Sequence, residues 1–147
     1  MAYCAIRDRV LEPILISPFL RADADERENV KLVRQSNEEA RPYPGELFIG
    51  TVFNQPVVED SDAPSLRVAS ITFRDGARNR WHRHTTEQVL VVTHGQGIVA
   101  NDEVEHQVSP GDVILIPAGE RHWHGASPDS DLTHLSILLP GEMTIDD

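Results

Sequence analysis

His82, His84 and Gln88 stand two and four residues apart in the segment Trp81-His82-Arg83-His84-Thr85-Thr86-Glu87-Gln88. Side chains alternate along an extended strand, so even spacing aims all three from one face. Two imidazoles and an amide oxygen pointing one way are suited to a divalent ion. A fourth donor, His122, follows Pro117-Ala118-Gly119-Glu120-Arg121, where Pro and Gly end an apolar strand and turn the chain. If the two strands are neighbours, His122 completes a four-donor protein shell that leaves positions open to water or substrate. An ion held this way acts as a Lewis acid on oxygen or a departing anion. One histidine alone is usually a surface or hydrogen-bonded residue, and a His-x-His pair is a weak signal. The joint pattern of four donors carries the expectation.

Glu87 is the alternative fourth ligand. It lies at odd spacing from His84, so a bulge would have to turn it inward. The choice has a chemical consequence. A neutral amide leaves the centre at a formal charge of about +2, where a carboxylate reduces it to about +1, giving a stronger Lewis acid that is more weakly held.

The elements that must position these donors are strands. From Glu46 onward, short β-rich segments recur at intervals of roughly ten residues between Gly, Pro, Asn and Asp, the rhythm of a sandwich or barrel. The expected strands are Leu47 to Phe53, Ser65 to Phe73, Trp81 to His84, Gln88 to Thr93, Gly97 to Ala100, Val104 to Val108, Val113 to Ile116 and Leu132 to Leu139. No segment after Arg41 has the length and period of a helix. The His-bearing strand and Gly111-Asp112-Val113-Ile114-Leu115-Ile116-Pro117 read as the two halves of a double-stranded roll, whose closure removes sheet edges and leaves a mouth for one small ligand.

Length and charge narrow the partners. A chain of 147 residues is enough for one core. Thirteen Lys and Arg against 24 Asp and Glu leave a formal net charge of -11, which repels phosphate backbones and anionic lipids. Nucleic acid and membrane are therefore not expected partners, and a small molecule is. Cys4 is the single cysteine, which permits no intrachain disulfide, so cytoplasm is the expected compartment. The apolar stretch Val10 to Leu20 is broken by Glu12, Pro13 and Pro18 and is too short to span a bilayer. Residues 1–40 read as a partly irregular N-terminal extension with one short helical turn near Val10 to Leu15, a charged run from Ala22, and a strand at Lys31 to Gln35. Residues 41–147 form the barrel domain.

Two motifs then resemble a known family. Gly76-x5-His82-x-His84-x3-Gln88-x6-Gly95 is similar to the first motif of the cupins, with glutamine where glutamate is usual. Gly111-x5-Pro117-x-Gly119-x2-His122 is similar to the second, with Ala126 where asparagine is common. The likeness covers roughly Glu46 to Pro140, and it implies an all-β double-stranded β-helix, the jelly-roll cupin barrel, behind the N-terminal extension. Trp81-His82-x-His84-x3-Gln88 with His122-Trp123-His124-Gly125-Ala126 resembles a narrower group, the manganese-dependent cupin hydroxynitrile lyases of bacteria. Gly50-Thr51-Val52, Ala69, Ile71 and Leu132-Thr133-His134-Leu135 extend the likeness.

That resemblance implies one divalent metal per chain on His82, His84, Gln88 and His122, with Mn(II) favoured and Fe(II), Zn(II) or Ni(II) as alternatives. It also implies that His124 and His134 line the pocket. His124 shares parity with His122 and faces the same side if the segment stays extended. Alternation groups His134 with Ser136 and Leu138, although the opposite face, with Leu135 and Ile137, is the more apolar. With a reference pKa near 6.5, either imidazole can move a proton at neutral pH. An equal reading has both acting only as hydrogen-bond partners around the site.

The first expected reaction is carbon–carbon cleavage of an α-hydroxynitrile or related hydroxy compound, with the metal as Lewis acid and a histidine as acid and base. The alternatives are an Fe- or Mn-dependent dioxygenase and a non-catalytic metabolite-binding module. A homodimer or higher homo-oligomer is expected, because small cupins commonly pair their barrels sheet to sheet. His94, His106, Trp81 and Trp123 are expected outside the pocket, and Arg80 and Arg121 as solvated charge.

Overall fold

The computed structural model describes residues 30–36 and 38–146. The chain divides between Leu32 and Val33, and the fold concerns the part from Val33 onward. The expected helical turn near Val10 to Leu15 and Cys4 lie outside the described residues. Among the described residues there is no helix.

Two antiparallel sheets curl into a jelly-roll barrel. One sheet holds β1 (Arg41–Pro42), β3 (Val52–Val58), β4 (Arg67–Phe73), β12 (Leu132–Leu138), β7 (Gln88–Gly95) and β10 (Val113–Ile116), in the spatial order β1-β3-β4-β12-β7-β10. The facing sheet runs through β13 (Met143–Ile145), β6 (His82–His84), β11 (His122–Ala126), β5 (Arg78–Asn79) and β2 (Phe48–Ile49), with β8 (Gly97–Asn101) pairing β11 and β9 (Glu105–Val108). This is the double-stranded β-helix expected from the strand rhythm and the motif likeness.

Several elements differ from expectation. The strand expected at Leu47 to Phe53 breaks at Gly50, whose φ of 92° turns the chain from one sheet to the other. Lys31 to Gln35 form no strand. Their backbone is engaged by a side chain instead: Gln55 Nε2 donates to the Arg34 carbonyl at 2.8 Å, and Ser36 N–H donates to Gln55 Oε1 at 2.9 Å. β11 and β13 were not among the expected strands, because glycine and histidine in one, and threonine between isolated apolar residues in the other, give little β-signal.

A tightly filled core lies behind the site. Phe73, Leu90 and Leu132 are fully buried with Val52, Val92, Val99, Val108 and Ile116 around them. Each large apolar side chain so removed from water contributes about 1.5–3 kcal/mol. Close approach of the strands fixes one glycine absolutely. A Cβ on Gly125 would collide with Arg78 and the Ala77 carbonyl, so β11 can lie against β5 only with glycine there. That approach is what brings Asn79 on β5 beside His124 on β11.

β12 settles the question of its inner face. Leu132, His134 and Ser136 are buried, whereas Thr133, Leu135 and Ile137 are half-buried on the outer side. The more apolar face is thus the outer one, contrary to what apolarity alone suggests. Its Leu135 and Ile137 lie in register beside Val91 and Val89 of β7, and the face with His134 and Ser136 lines the cavity.

Candidate functional site

The two sheets supply opposite walls of one cavity of about 640 Å³. β6 and β11 place His82 directly opposite His122 in antiparallel register. The ring centroids of His82 and His122 are 4.2 Å apart, and those of His82 and His84 are 5.1 Å apart. The ligating atoms of His82, His84 and His122 all lie within 4.8 Å of one another, a group able to hold a divalent metal. Gln88 reaches in from the facing sheet, at the start of β7, and is buried, whereas Glu87 is exposed.

The hydrogen bonds orient these donors. His82 Nδ1 donates to the Arg80 carbonyl at 2.9 Å, and His122 Nδ1 donates to the Glu120 carbonyl at 2.9 Å. Each ring therefore presents the Nε2 lone pair inward. Gln88 Nε2 donates to Ser136 Oγ at 2.9 Å, which turns Oε1 toward His122 Nε2, 3.1 Å away. With the His122 proton on Nδ1, that contact sets one lone pair against another. A cation between them converts the repulsion into two attractions. His84 Nε2 is also buried with no hydrogen-bond partner. These residues fit a metal ion, and their four neutral donors do not offset its charge.

Burial keeps all the cavity histidines uncharged at neutral pH. Desolvation is the largest cause throughout; it lowers the pKa of His82 to about 3, of His84 to about 4 and of His134 to about 4. His122 is lowered, and His124 is lowered well below its ordinary value, helped by its neighbours His134 and His82. The sign for stability follows. Between pH 6.5 and about 4 the unfolded chain binds more protons at these rings than the folded one, so the stability they confer is complete above pH 6.5 and drains away as pH falls. Metal-stripped protein is expected to lose a few kcal/mol between pH 7.5 and pH 5, visible as a fall of roughly 10 °C in Tm by calorimetry. An unchanged Tm would contradict the buried neutral state.

Deeper in the cavity stand His124 and His134, with ring centroids 4.9 Å apart and both in contact with Phe73. Asn79 Nδ2 donates to His124 Nε2 at 3.0 Å. Neither ring nitrogen of His134 has a hydrogen-bond partner, and His124 Nδ1 has none. Wholly buried polar atoms left unbonded are uncommon and mark a place where something else binds. Sequence reasoning did not find Asn79, which lies in an arginine-flanked pair with no pattern to expose it. Asn54, which lines the same cavity, was overlooked although its parity with Val52 was readable. Ala69, Ile71, Leu138 and Phe48 supply apolar wall between these groups and the charged mouth at Glu59, Asp60 and Arg67.

His94 and His106 are exposed. Trp81 and Trp123 meet edge to face outside the cavity at 6.5 Å. Arg121 is more than solvated charge: its guanidinium lies 4.2 Å from the Trp81 ring centroid and pairs with Asp102 at 2.5 Å.

Comparison with known proteins agrees with this geometry. The family described as Cupin domain matches residues 69–138. The chain is 37% identical to a protein of Granulicella tundricola named (R)-mandelonitrile lyase, over 74% of this chain and 83% of that one. It is 28% identical to the acireductone dioxygenase of a Sulfurihydrogenibium species over 69% of this chain, spanning 55% of that protein. Among solved structures, a cupin-like protein from Thermotoga maritima superposes with a TM-score of 0.69 at 31% identity, covering 77% of this chain and 90% of that one.

Proposed function

Because the chain belongs to the cupin family, we propose that it is a metal-dependent lyase that cleaves the carbon–carbon bond of an α-hydroxynitrile or a related hydroxy compound. The observation that carries this reading is a wholly buried imidazole, His134, facing the same cavity as His82 and His84 of the three-histidine group. The likeness to the Granulicella protein supports the choice of substrate class.

His82, His84, Gln88 and His122 would hold the ion, with Mn(II) favoured over Fe(II), Zn(II) and Ni(II). When bound, the metal supplies Lewis-acid stabilisation of the negative charge that develops on substrate. Gln88 Oε1 is kept available by the bond from its own amide to Ser136.

His134, held neutral by burial, takes the hydroxyl proton at one of its free nitrogens. The carbon–oxygen bond becomes the carbonyl double bond, and the electron pair of the carbon–carbon bond leaves with cyanide. The imidazolium then returns its proton to the cyanide, giving aldehyde and hydrogen cyanide. His124 accepts from Asn79 at Nε2, which puts its own proton on Nδ1 and makes it a donor that orients the substrate.

The deciding experiment is cyanide release from mandelonitrile by protein loaded with Mn(II) against metal-stripped protein. Release that requires the metal supports the reading. Metal binding with no release, but with oxygen uptake on an enediol, would replace it by the dioxygenase reading, to which the Sulfurihydrogenibium relative lends support. Binding of a metabolite without any turnover would leave a non-catalytic module.

The proposal extends to assembly and location. Val113 and Leu115 on the edge strand β10 are 66% and 65% exposed, next to half-buried Val89 and Val91. We read this face as the seat of a second copy. Leu115→Glu with Val113→Glu is expected to shift the sedimentation coefficient from dimer or higher oligomer to monomer. A monomeric parent protein would refute it. The location proposed is the cytoplasm, on the strength of the single cysteine. Among the described residues no helix is long and apolar enough to cross a membrane.

A further inference from the structure

The cavity is larger than the reaction needs, and its polar groups stand in two places. Strand register shows this directly. Asn54 on β3 is opposite Ile71 on β4, and Ile71 is opposite His134 on β12. One row nearer the mouth, Pro56, Ala69 and Ser136 are aligned the same way. Across the six-stranded sheet the lining therefore runs from polar on β12, through apolar on β4, to a single polar side chain on β3. At about 4.8 Å per strand, Asn54 and His134 sit roughly 10 Å apart along the sheet.

Asn54 Oδ1 is buried with no hydrogen-bond partner. An amide oxygen so placed has no donor from the protein and is open to one brought by a ligand. The charges around the cavity are equally selective. Its one lining guanidinium, Arg67, belongs to the mouth and is committed to Asp60 through two bonds, Nε to Oδ1 at 2.6 Å and NH2 to Oδ2 at 2.9 Å. Glu59 lies beside that pair on the lining. Among the described lining residues there is no lysine and no other arginine to meet an anion. A volume of about 640 Å³ falls in the range of cavities that enclose ligands of drug size.

We infer that the cavity is built for a neutral, mainly apolar substrate that carries a second hydrogen-bond donor, one ring or its equivalent away from the reacting hydroxyl, and that Asn54 Oδ1 receives it. The inference rests on the reading of this cavity as the substrate site. It narrows the substrate class from any α-hydroxynitrile to one with a remote hydroxyl or N–H, and it makes Asn54 a specificity-determining residue. A carboxylate at the remote position is excluded by the acidic mouth and by the absence, among the described lining residues, of a guanidinium or ammonium free to meet it there, the metal site lying at the other end of the substrate.

The test uses alcohols that cannot be cleaved, bound to the metal-loaded full chain and followed by titration calorimetry. The probes are 1-phenylethanol, 4-(1-hydroxyethyl)phenol and 4-(1-hydroxyethyl)benzoate. The phenol is expected to bind about five- to ten-fold more tightly than 1-phenylethanol, the gain from satisfying one buried acceptor, and the benzoate more weakly than either. Asn54→Leu is expected to bring the phenol preference to about one, while Asn54→Asp, which keeps an acceptor at the same place, retains it. Equal binding of phenol and 1-phenylethanol by the parent protein, an unchanged preference in Asn54→Leu, or tight benzoate binding would each overturn the inference. None of these readings requires turnover. A chain that shows the Asn54-dependent preference but releases no cyanide from mandelonitrile refutes the lyase reading alone, and cyanide release with no preference refutes the inference alone.

Discussion

His82→Ala/His84→Ala is expected to retain less than about a tenth of the metal of the parent protein and to lose metal-dependent turnover altogether. The change removes two of the three imidazoles whose ligating atoms converge within 4.8 Å and leaves His122 and Gln88, one nitrogen and one amide oxygen, neither charged. A neutral pair cannot compete with water for a divalent ion when even partners outside the donor set change affinity by about 10- to 100-fold. Plasma mass spectrometry after dialysis measures the loss directly. A second readout separates a lost site from a lost fold. Both removed rings have depressed proton affinity because of burial, so the variant should show a shallower decline of Tm between pH 7 and pH 5 than metal-stripped parent protein. Full metal content in the double variant would sink the assignment of these histidines as ligands.

The second large effect is expected at His134. His134→Phe keeps a ring of similar size in contact with Phe73, whose centroid lies 5.7 Å away, so packing is preserved while both nitrogens are lost. Metal content should match that of the parent, and kcat should fall by about 10²- to 10⁴-fold, the usual contribution of a positioned acid or base. KM should change far less than kcat, because the lost interaction belongs to proton transfer. A drop in KM-dependent binding with kcat intact would instead assign His134 to orientation and pass the proton to His124.

Much of the barrel was legible because its signals are local. Even spacing predicted that His82, His84 and Gln88 share a face, and the structure buries His82 and Gln88 within one cavity while leaving Glu87 outside. The strand boundaries of β4, β7, β10 and β12 lie within a few residues of expectation for the same reason. What stayed hidden is non-local. That β11 is a strand at all depends on being wedged among β5, β6 and β8, with Gly125 admitting β5; its own residues carry weak propensity. The inner face of β12 was ambiguous because a cavity inverts the usual rule that the apolar side faces in. Lys31 to Gln35 read as a strand, but no pattern in the segment could reveal that the Gln55 amide would occupy its backbone.

Two of the three candidate ligand rings have backbone anchors, the Arg80 carbonyl for His82 and the Glu120 carbonyl for His122, each two residues back on the ring's own chain segment. These two rings are thus held by the segments that lead into their strands, and the strands are held by the sheet. Metal uptake by such a site is docking rather than induced folding, unlike small domains whose chains collapse only around their metal. Calorimetry of ion binding should show a heat-capacity change near zero, and the amide exchange pattern of β6 and β11 should be almost the same before and after loading. Both results together would mean that one ion can replace another while the architecture stays constant.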